Sequence, residues 1–527
     1  MKQLPGGRQN LNVLNNQKST VCYMSTLKRN IFSNLVGGGW IALLTLIITP
    51  FQVNLLGVEA FGLIGFIATL QIMVSVLDLG LSSTITRELA GDTSPARVSS
   101  RPLIRTALSF YWGMALVIGV ILATFSGLIA RAWFTTNTVD IAVLEQGLQV
   151  IAIMLALRWP VSLYSGALAG IQRMDILNIV KASVITLRLV GGIIVILVLR
   201  DLSLFLIWTA FSALVEVLVF QTVCRKVMPE MDWRPGFSIS AILAVWVFSL
   251  SMNGLGLVAM GITQLDRLLI SKMLSLESLG YYILAYTAAT AISMVLSALN
   301  AALMPSFAAA HAANEQEALV QRYDKACRVT LFATGLVLFI LVFFGRPLLE
   351  IWVNPVVAEN AWRPLAILAV GFWLSASVSS AYNIGVACRY PGPLLKVSAF
   401  SAVIYMPVLY GLITGWGIEG AAVAWLLLNA GYIVVIVPIV HRNILKIPVI
   451  PWLVGILLPF AVLGIITFGG ARLITNYLSL TLGFELAIIV PAVIAYMGLG
   501  YFILGKAVRS DVIRMIQRVI RTKEGIL

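Results

Sequence analysis

The stretch LLGVEAFGLIGFIATLQIMVSVLDLGLSSTITRELAG, Leu55 to Gly91, decides the fold. A short turn at Gly57, Val58 and Glu59 opens it, a long run of mostly apolar residues follows, and the charges Arg87 and Glu88 close it. A helix needs about 20 apolar residues to cross the hydrocarbon of a bilayer, so the stretch reads as a membrane span. It carries one group that a lipid-facing helix would not tolerate, the carboxylate of Asp78. The same phrase returns as LSLESLGYYILAYTAATAISMVLSALNAALMPSFAAA, Leu274 to Ala310. A shift of 218 residues lays Glu59 on Glu277, Gly62 on Gly280, Thr69 on Thr287, Ser75 on Ser293, Leu81 on Leu299 and Ala90 on Ala308. The turn, the Glu-x-x-Gly and the helix length recur in step, which predicts two lobes built on one plan.

The rest of the chain agrees with a membrane class. Sixty per cent of its 527 residues are hydrophobic and 11% are charged, against roughly 45–50% and about 25% in soluble domains. Mean hydropathy is +0.97. Apolar runs predict about fourteen spans, near 34–55, 61–86, 103–125, 143–168, 177–199, 203–222, 238–263, 279–307, 329–345, 364–386, 394–414, 418–440, 450–468 and 483–505. The expected fold is all-α: a polytopic membrane protein of two pseudo-symmetric six-helix lobes in a V, with two extra C-terminal helices. Its expected parts are a disordered cytoplasmic tail (1–33), an N-lobe (34–222), a C-lobe (238–440), helices thirteen and fourteen (450–505) and a basic cytoplasmic tail (506–527).

The net charge of +14 is mainly an orientation signal. With the N-terminus inside, 27 of the 36 Lys and Arg fall on inside joints and 7 on outside joints, while Arg158 and Arg188 fall within spans. The positive-inside rule therefore puts both termini in the cytoplasm and leaves no case for nucleic-acid binding. Cys22, Cys224, Cys327 and Cys388 all sit at cytoplasmic ends and read as free thiols. The first 33 residues contain no short apolar core after a basic start, so no cleaved signal peptide is expected, and Met24 stands as an alternative start to Met1. The last stretch, KAVRSDVIRMIQRVIRTKEGIL, is either an amphipathic helix on the anionic inner leaflet or a plain solvated helix.

Candidate functional residues are the exceptions to the apolar pattern. Gly38, within Gly37-Gly38-Gly39, and Pro50 give the first span two places to bend, which suits a gate, although close packing would use the same residues. Arg158 stands directly before Trp159 and Pro160, where a kink opens the fourth span; Arg188 lies near the midpoint of the fifth and Glu216 lies in the sixth. An ionised side chain at mid-membrane costs about 2.5 kcal/mol or more, so these groups should face a protein-lined or watery interior. The same shift places Leu296, Ala376, Met406 and Val434 opposite Asp78, Arg158, Arg188 and Glu216, so the second lobe reads as nearly apolar. Asp266 and Arg267 form a candidate pair near the outer gate, either a closing salt bridge or a fold marker. His311 and His441 lack clustered partners, so no metal site is expected. No nucleotide-binding loop, zinc spacing or nucleophile triad occurs, and no cofactor or catalytic residue is expected.

The two six-helix lobes, LLGVEAFGLIG, the LDLGLSSTITRELAG ending of the second span and the LDRLLISKMLSLESLGYYILAYT passage resemble the polysaccharide-biosynthesis flippases, of O-antigen or teichoic acid type. These belong to the multidrug, oligosaccharidyl-lipid and polysaccharide exporter superfamily, and the resemblance covers roughly Lys28 to Lys506. It implies a carrier, not an enzyme, in the inner (plasma) membrane. Such a carrier turns undecaprenyl-pyrophosphate-linked glycans from the inner to the outer leaflet by alternating access, in the synthesis of O-antigen, lipopolysaccharide or exopolysaccharide. Implied partners are the lipid-linked oligosaccharide, membrane lipids, a coupling cation (sodium or proton) and polysaccharide polymerase or export machinery. On this reading Arg158 and Arg188 attract the pyrophosphate, and Asp78 and Glu216 balance charge or take part in ion coupling. The opposing reading makes the same four residues an internal lock between helices. A multidrug or organic-cation antiporter of the same superfamily is the first functional alternative, and a membrane-embedded polysaccharide polymerase or ligase the second.

Overall fold

The computed structural model describes residues 7–76, 78, 80–90, 101–135, 140–238, 261–505, 508–510 and 514. Among these residues the chain is helical, and its one extended pairing is an isolated bridge between Thr135 and Ser275. Among the described residues twelve helical stretches are long and apolar enough to cross a membrane, making this a multi-pass membrane protein. One of them, Pro391–Leu445, holds two expected spans, 394–414 and 418–440. The helix turns between them at Gly417, whose φ of 57° and ψ of −134° suit a residue without a side chain. The seventh expected span, 238–263, lies almost entirely outside the described residues, as does most of the basic tail from 506.

The chain forms two compact units. One contains the residues up to Gly57, then Ile67–Phe134 and Thr138–Leu257; the other contains Val58–Phe66, Thr135–Asn137 and everything from Val258.

Helix α1 spans Gly7–Leu56, α2 Val58–Val76, α3 Leu81–Leu89, α4 Arg101–Thr124, α5 Ser126–Trp133, α6 Ile141–Arg158, α7 Val161–Gly170, α8 Met174–Leu199 and α9 Leu202–Val227, and all belong to the first unit except the Val58–Phe66 start of α2. Helix α1 runs through most of the stretch expected to be a disordered tail. No glycine or proline interrupts residues 8–36, so the helix meets no breaker before Gly37. Polar side chains tie α1 to α8: Asn178 Nδ2 donates to Asn34 at 2.6 Å and Trp40 Nε1 donates to Thr186 at 2.9 Å. The second expected span is interrupted between α2 and α3, where Gly80 takes a φ of 79°. Asp140 and Asp201 cap α6 and α9, accepting from the amides of Ala142 and Leu204. The core of this unit packs Tyr111 of α4, Trp159, Leu163 and Tyr164 around Phe220 and Cys224 of α9.

In the second unit, a helix over residues 261–273 leads to α10 (Leu276–Ala289), capped by Ser275, and α11 (Ala291–Ala312). Helix α12 spans Gln316–Trp352 and α13 Pro355–Ala387, the latter opened by an Asn354 cap with Pro at its first position. Ile450–Tyr477 and Leu482–Ile503 follow as further spans, the former containing two π-helical turns, Leu453–Leu457 and Ile465–Gly469.

The repeated Glu-x-x-Gly has a spatial meaning in this unit. A Cβ on Gly62 would overlap the carbonyl of Leu276, and a Cβ on Gly280 would overlap the carbonyl of Val58. Adding 218 to Gly62 and Val58 gives Gly280 and Leu276, so the two contacts are reciprocal, as across a two-fold axis. The helices cross backbone to backbone, which only glycine permits. Leu in place of Gly62 or Gly280 should destabilise by about 1–3 kcal/mol through overpacking. Gly113→Ala, whose Cβ meets open space, should be neutral or stabilising by up to about 1 kcal/mol. Thermal melting of the full-length protein in detergent checks this; equal melting of Gly62→Leu and wild type would refute the close crossing.

Candidate functional site

A cavity of about 450 Å³ opens inside the first unit. Gln71, Ser75 and Asp78 reach it from α2 and the break that follows, and Ser82 from α3. Arg158, Trp159, Ser162 and Ser165 come from the α6–α7 kink, Lys181 from α8 and Glu216 from α9. The kink follows from Pro160, which has no amide hydrogen to donate. Arg158 is the last residue of α6, so its side chain leaves the helix where the backbone bends.

Arg158 is held from two sides. Its Nη1 donates to Gln71 Oε1 at 2.7 Å, and its Nε lies 3.2 Å from Glu216 Oε2. The Arg158 side chain is 7% exposed and that of Glu216 14%, so a buried guanidinium meets a partly buried carboxylate. The 3.2 Å approach lacks hydrogen-bond alignment, and Arg158 Nη2 has no acceptor among the described residues. Lys181 and Arg188 also lie within electrostatic reach of Glu216, so three cations share one nearby carboxylate.

Asp78 lies in the same cavity but in a different environment. The Tyr111 hydroxyl donates to its Oδ1, and the Ser82 hydroxyl donates to its Oδ2 at 2.5 Å. The Ser82 amide approaches Oδ2 at 3.4 Å, which places the carboxylate over the first turn of α3, where a negative charge is favoured. No cation pairs with Asp78 among the described residues.

The structure thus brings Asp78, Arg158 and Glu216 into one cavity, and leaves Arg188 half-buried beside it but off its lining. Gly38 and Pro50 lie elsewhere, on α1, and a Cβ on Gly38 would meet open space. Asp266 and Arg267 do not bridge one another. Asp266 accepts from the Tyr282 hydroxyl at 2.5 Å and from the Arg267 amide at 2.8 Å, while the Arg267 guanidinium sits 3.9 Å from the centre of the Tyr286 ring. With the buried Tyr323–His441 contact at 2.8 Å, these groups correct the expectation of a nearly apolar second lobe. That expectation rests on charges within the later spans, and so passes over Asp266, which precedes them, and the neutral polar groups. Sequence reasoning also missed the cavity residues Gln71, Trp159 and Lys181, and Tyr111, which bonds Asp78. Gln71 is uncharged, Tyr111 lies in a span with no polar signal, Trp159 reads only as the neighbour of a kink, and Lys181 reads as part of a cytoplasmic joint.

Membrane-crossing helices around a polar, charged cavity define a polytopic protein of transporter fold. The polysaccharide biosynthesis protein family matches residues 27–311, more than half of the chain, and the chain belongs to that family. A curated Shigella flexneri protein named "Putative O-antigen transporter" is 22% identical over 412 residues, 76% of this chain and 94% of that protein. In fold, the chain is similar to the lipid II flippase MurJ in an inward closed conformation. That match has a TM-score of 0.68 and 12% identity, covering 89% of this chain and 99% of the other. An inward-facing multidrug resistance transporter of the MATE family aligns with a TM-score of 0.59 and 14% identity, over 76% of this chain and 96% of its own.

The Arg158–Glu216 pair makes a stability prediction. Glu216→Ala leaves Arg158 without its nearest counter-charge and should cost about 3–5 kcal/mol, whereas the Arg158→Met/Glu216→Leu double variant should fall close to wild type. Melting of the purified variants checks the order; a double variant less stable than Glu216→Ala alone would contradict it.

Proposed function

We propose that the protein is a flippase that carries an undecaprenyl-pyrophosphate-linked oligosaccharide from the cytoplasmic to the outer leaflet of the inner (plasma) membrane. It works by alternating access, with both termini in the cytoplasm. A hydroxyl-rich, pyrophosphate-bearing head cannot enter hydrocarbon, whereas its polyprenyl tail has no reason to leave it. The protein must therefore offer the head a polar enclosure within the membrane. The observation that carries this reading is the cavity itself, where Arg158 keeps a donor without an acceptor beside serine hydroxyls, Gln71 and Lys181. Guanidinium suits phosphate oxygens, and the surplus of cations around Glu216 favours an anion. Arg188 adds to that field from outside the lining.

The family membership and the Shigella relative support the same reading. In it, Asp78 and Glu216 serve ion coupling and charge balance with sodium or protons, Gly38, Pro50, Asp266 and Arg267 serve gating, and polymerase or export machinery receives the product. The protein performs no covalent chemistry on its cargo. The MATE likeness in fold keeps a drug antiporter as the comparison case, but three cations about one carboxylate disfavour a cationic cargo.

Complementation of a strain lacking the chromosomal copy tests the reading at matched protein level. Arg158→Ala should lower surface glycan by about tenfold and Arg158→Lys, which keeps charge but loses the bidentate fork, by less. Normal glycan export by Arg158→Ala would remove the pyrophosphate role. Altered drug susceptibility with intact glycan in the deletion strain would favour the antiporter.

A further inference from the structure

The second unit contains a polar cluster at the positions that correspond to the cavity of the first. The reciprocal contacts of Gly62 and Gly280 fix the 218-residue register in space. In that register the cavity residues Ser82, Val161 and Ser165 map to Asn300, Ser379 and Asn383. These three are in contact. Asn300 Nδ2 donates to Ser379 Oγ at 2.9 Å, Ser379 Oγ donates to Asn300 Oδ1 at 3.1 Å, and Asn383 Nδ2 donates to Asn300 Oδ1 at 3.0 Å. The same helix pair meets in each unit. Helix α3 meets α7 where the Thr86 hydroxyl donates to the Gly166 carbonyl, and α11 meets α13 at the asparagines.

The correspondence is one of place and not of charge. Asp78, Arg158 and Glu216 are replaced by Leu296, Ala376 and Val434, and the serines at 82 and 165 by carboxamides. The cluster has therefore lost its ionisable groups and gained groups that both donate and accept. Asn300, Ser379 and Asn383 are each only half-buried, and among the described residues no donor reaches Asn383 Oδ1. Carboxamides within apolar spans pay heavily for facing acyl chains, so their open side belongs to a watery path.

From this we infer that Asn300, Ser379 and Asn383 form a binding site for a neutral, polyhydroxylated ligand, the sugar portion of the lipid-linked glycan. The inference rests on the proposed function and names the chemistry that this site offers the cargo: sugar hydroxyls, and not phosphate, meet the carboxamides. A phosphate finds no counter-cation among these three residues, whereas a sugar hydroxyl finds both a donor and an acceptor.

The test uses full-length protein in detergent micelles with two neutral disaccharides, cellobiose and chitobiose, followed by saturation-transfer difference NMR. Transfer to at least one disaccharide is expected, falling by about threefold or more in Asn300→Leu and Asn383→Leu, the loss expected for one polar contact. Asn383→Asp, which keeps the size but removes both amide donors, should show the same fall and decides the matter if the Leu variants aggregate. No transfer to either sugar, or equal transfer in well-behaved variants, overturns the site. Broadening of inorganic pyrophosphate in ³¹P NMR reads the charged cavity separately. Pyrophosphate binding without disaccharide binding sinks the carboxamide site and leaves the proposed function standing; binding of neither sinks both.

Discussion

A guanidinium and a carboxylate 3.2 Å apart, enclosed by apolar helices, set the terms for the first unit. Neither charge is tolerable alone in so apolar a surrounding. Their mutual compensation allows α6 to break at Trp159-Pro160 and expose a polar rim without collapsing the site. The imperfect alignment of the pair matters as much as its closeness. A fully bidentate bridge would use up the guanidinium, whereas here one nitrogen is given to Gln71 and another to no acceptor. A site built to hold an anion transiently needs this partial satisfaction, because a saturated cation has nothing to offer and a bare one cannot be buried.

The crossing of Val58–Phe66 with α10 shows how a duplicated plan persists while its chemistry diverges. Glycine at 62 and 280 is demanded by backbone overlap, a constraint that acts on both copies equally. No such constraint acts on residues that line a cavity, where side chains are exchanged without moving the backbone. Symmetry is therefore kept where the helices touch and lost at the residues proposed to face a ligand, and a charged cavity in one unit corresponds to a carboxamide cluster in the other.

Much of the fold was legible because crossing a bilayer imposes a length and an apolarity that no local propensity overrides. The spans, the 218-residue repeat and the unusual status of Asp78, Arg158 and Glu216 all follow from that rule. The helical state of residues 7–33 was not legible, because a polar composition reads as solvated chain and the mere absence of breakers is a weak signal. The break between α2 and α3 was hidden within a continuous apolar run, marked only by Asp78 and Gly80. The site was half legible: a buried charge announces itself in sequence, but its partner across the bundle does not. Tyr111 illustrates the limit, since nothing in LIRTALSFYWGMALVIGVILATF sets its hydroxyl apart until the α2–α3 break brings Asp78 against it.

The two cavity carboxylates are not equivalent, and the difference bears on how the proposed transport is driven. Glu216 answers to three neighbouring cations, so neutralising it leaves Arg158 uncompensated in an apolar surrounding. Asp78 is held by the hydroxyls of Tyr111 and Ser82 and by the first turn of α3, all neutral donors that remain satisfied when the carboxylate changes its charge. Hydroxyl oxygens can also turn their lone pairs toward a bound cation, which a guanidinium cannot do. Within the proposed cycle, therefore, the exchangeable proton or sodium belongs at Asp78 and the standing counter-charge at Glu216, because only at Asp78 does a change of charge leave no buried cation alone.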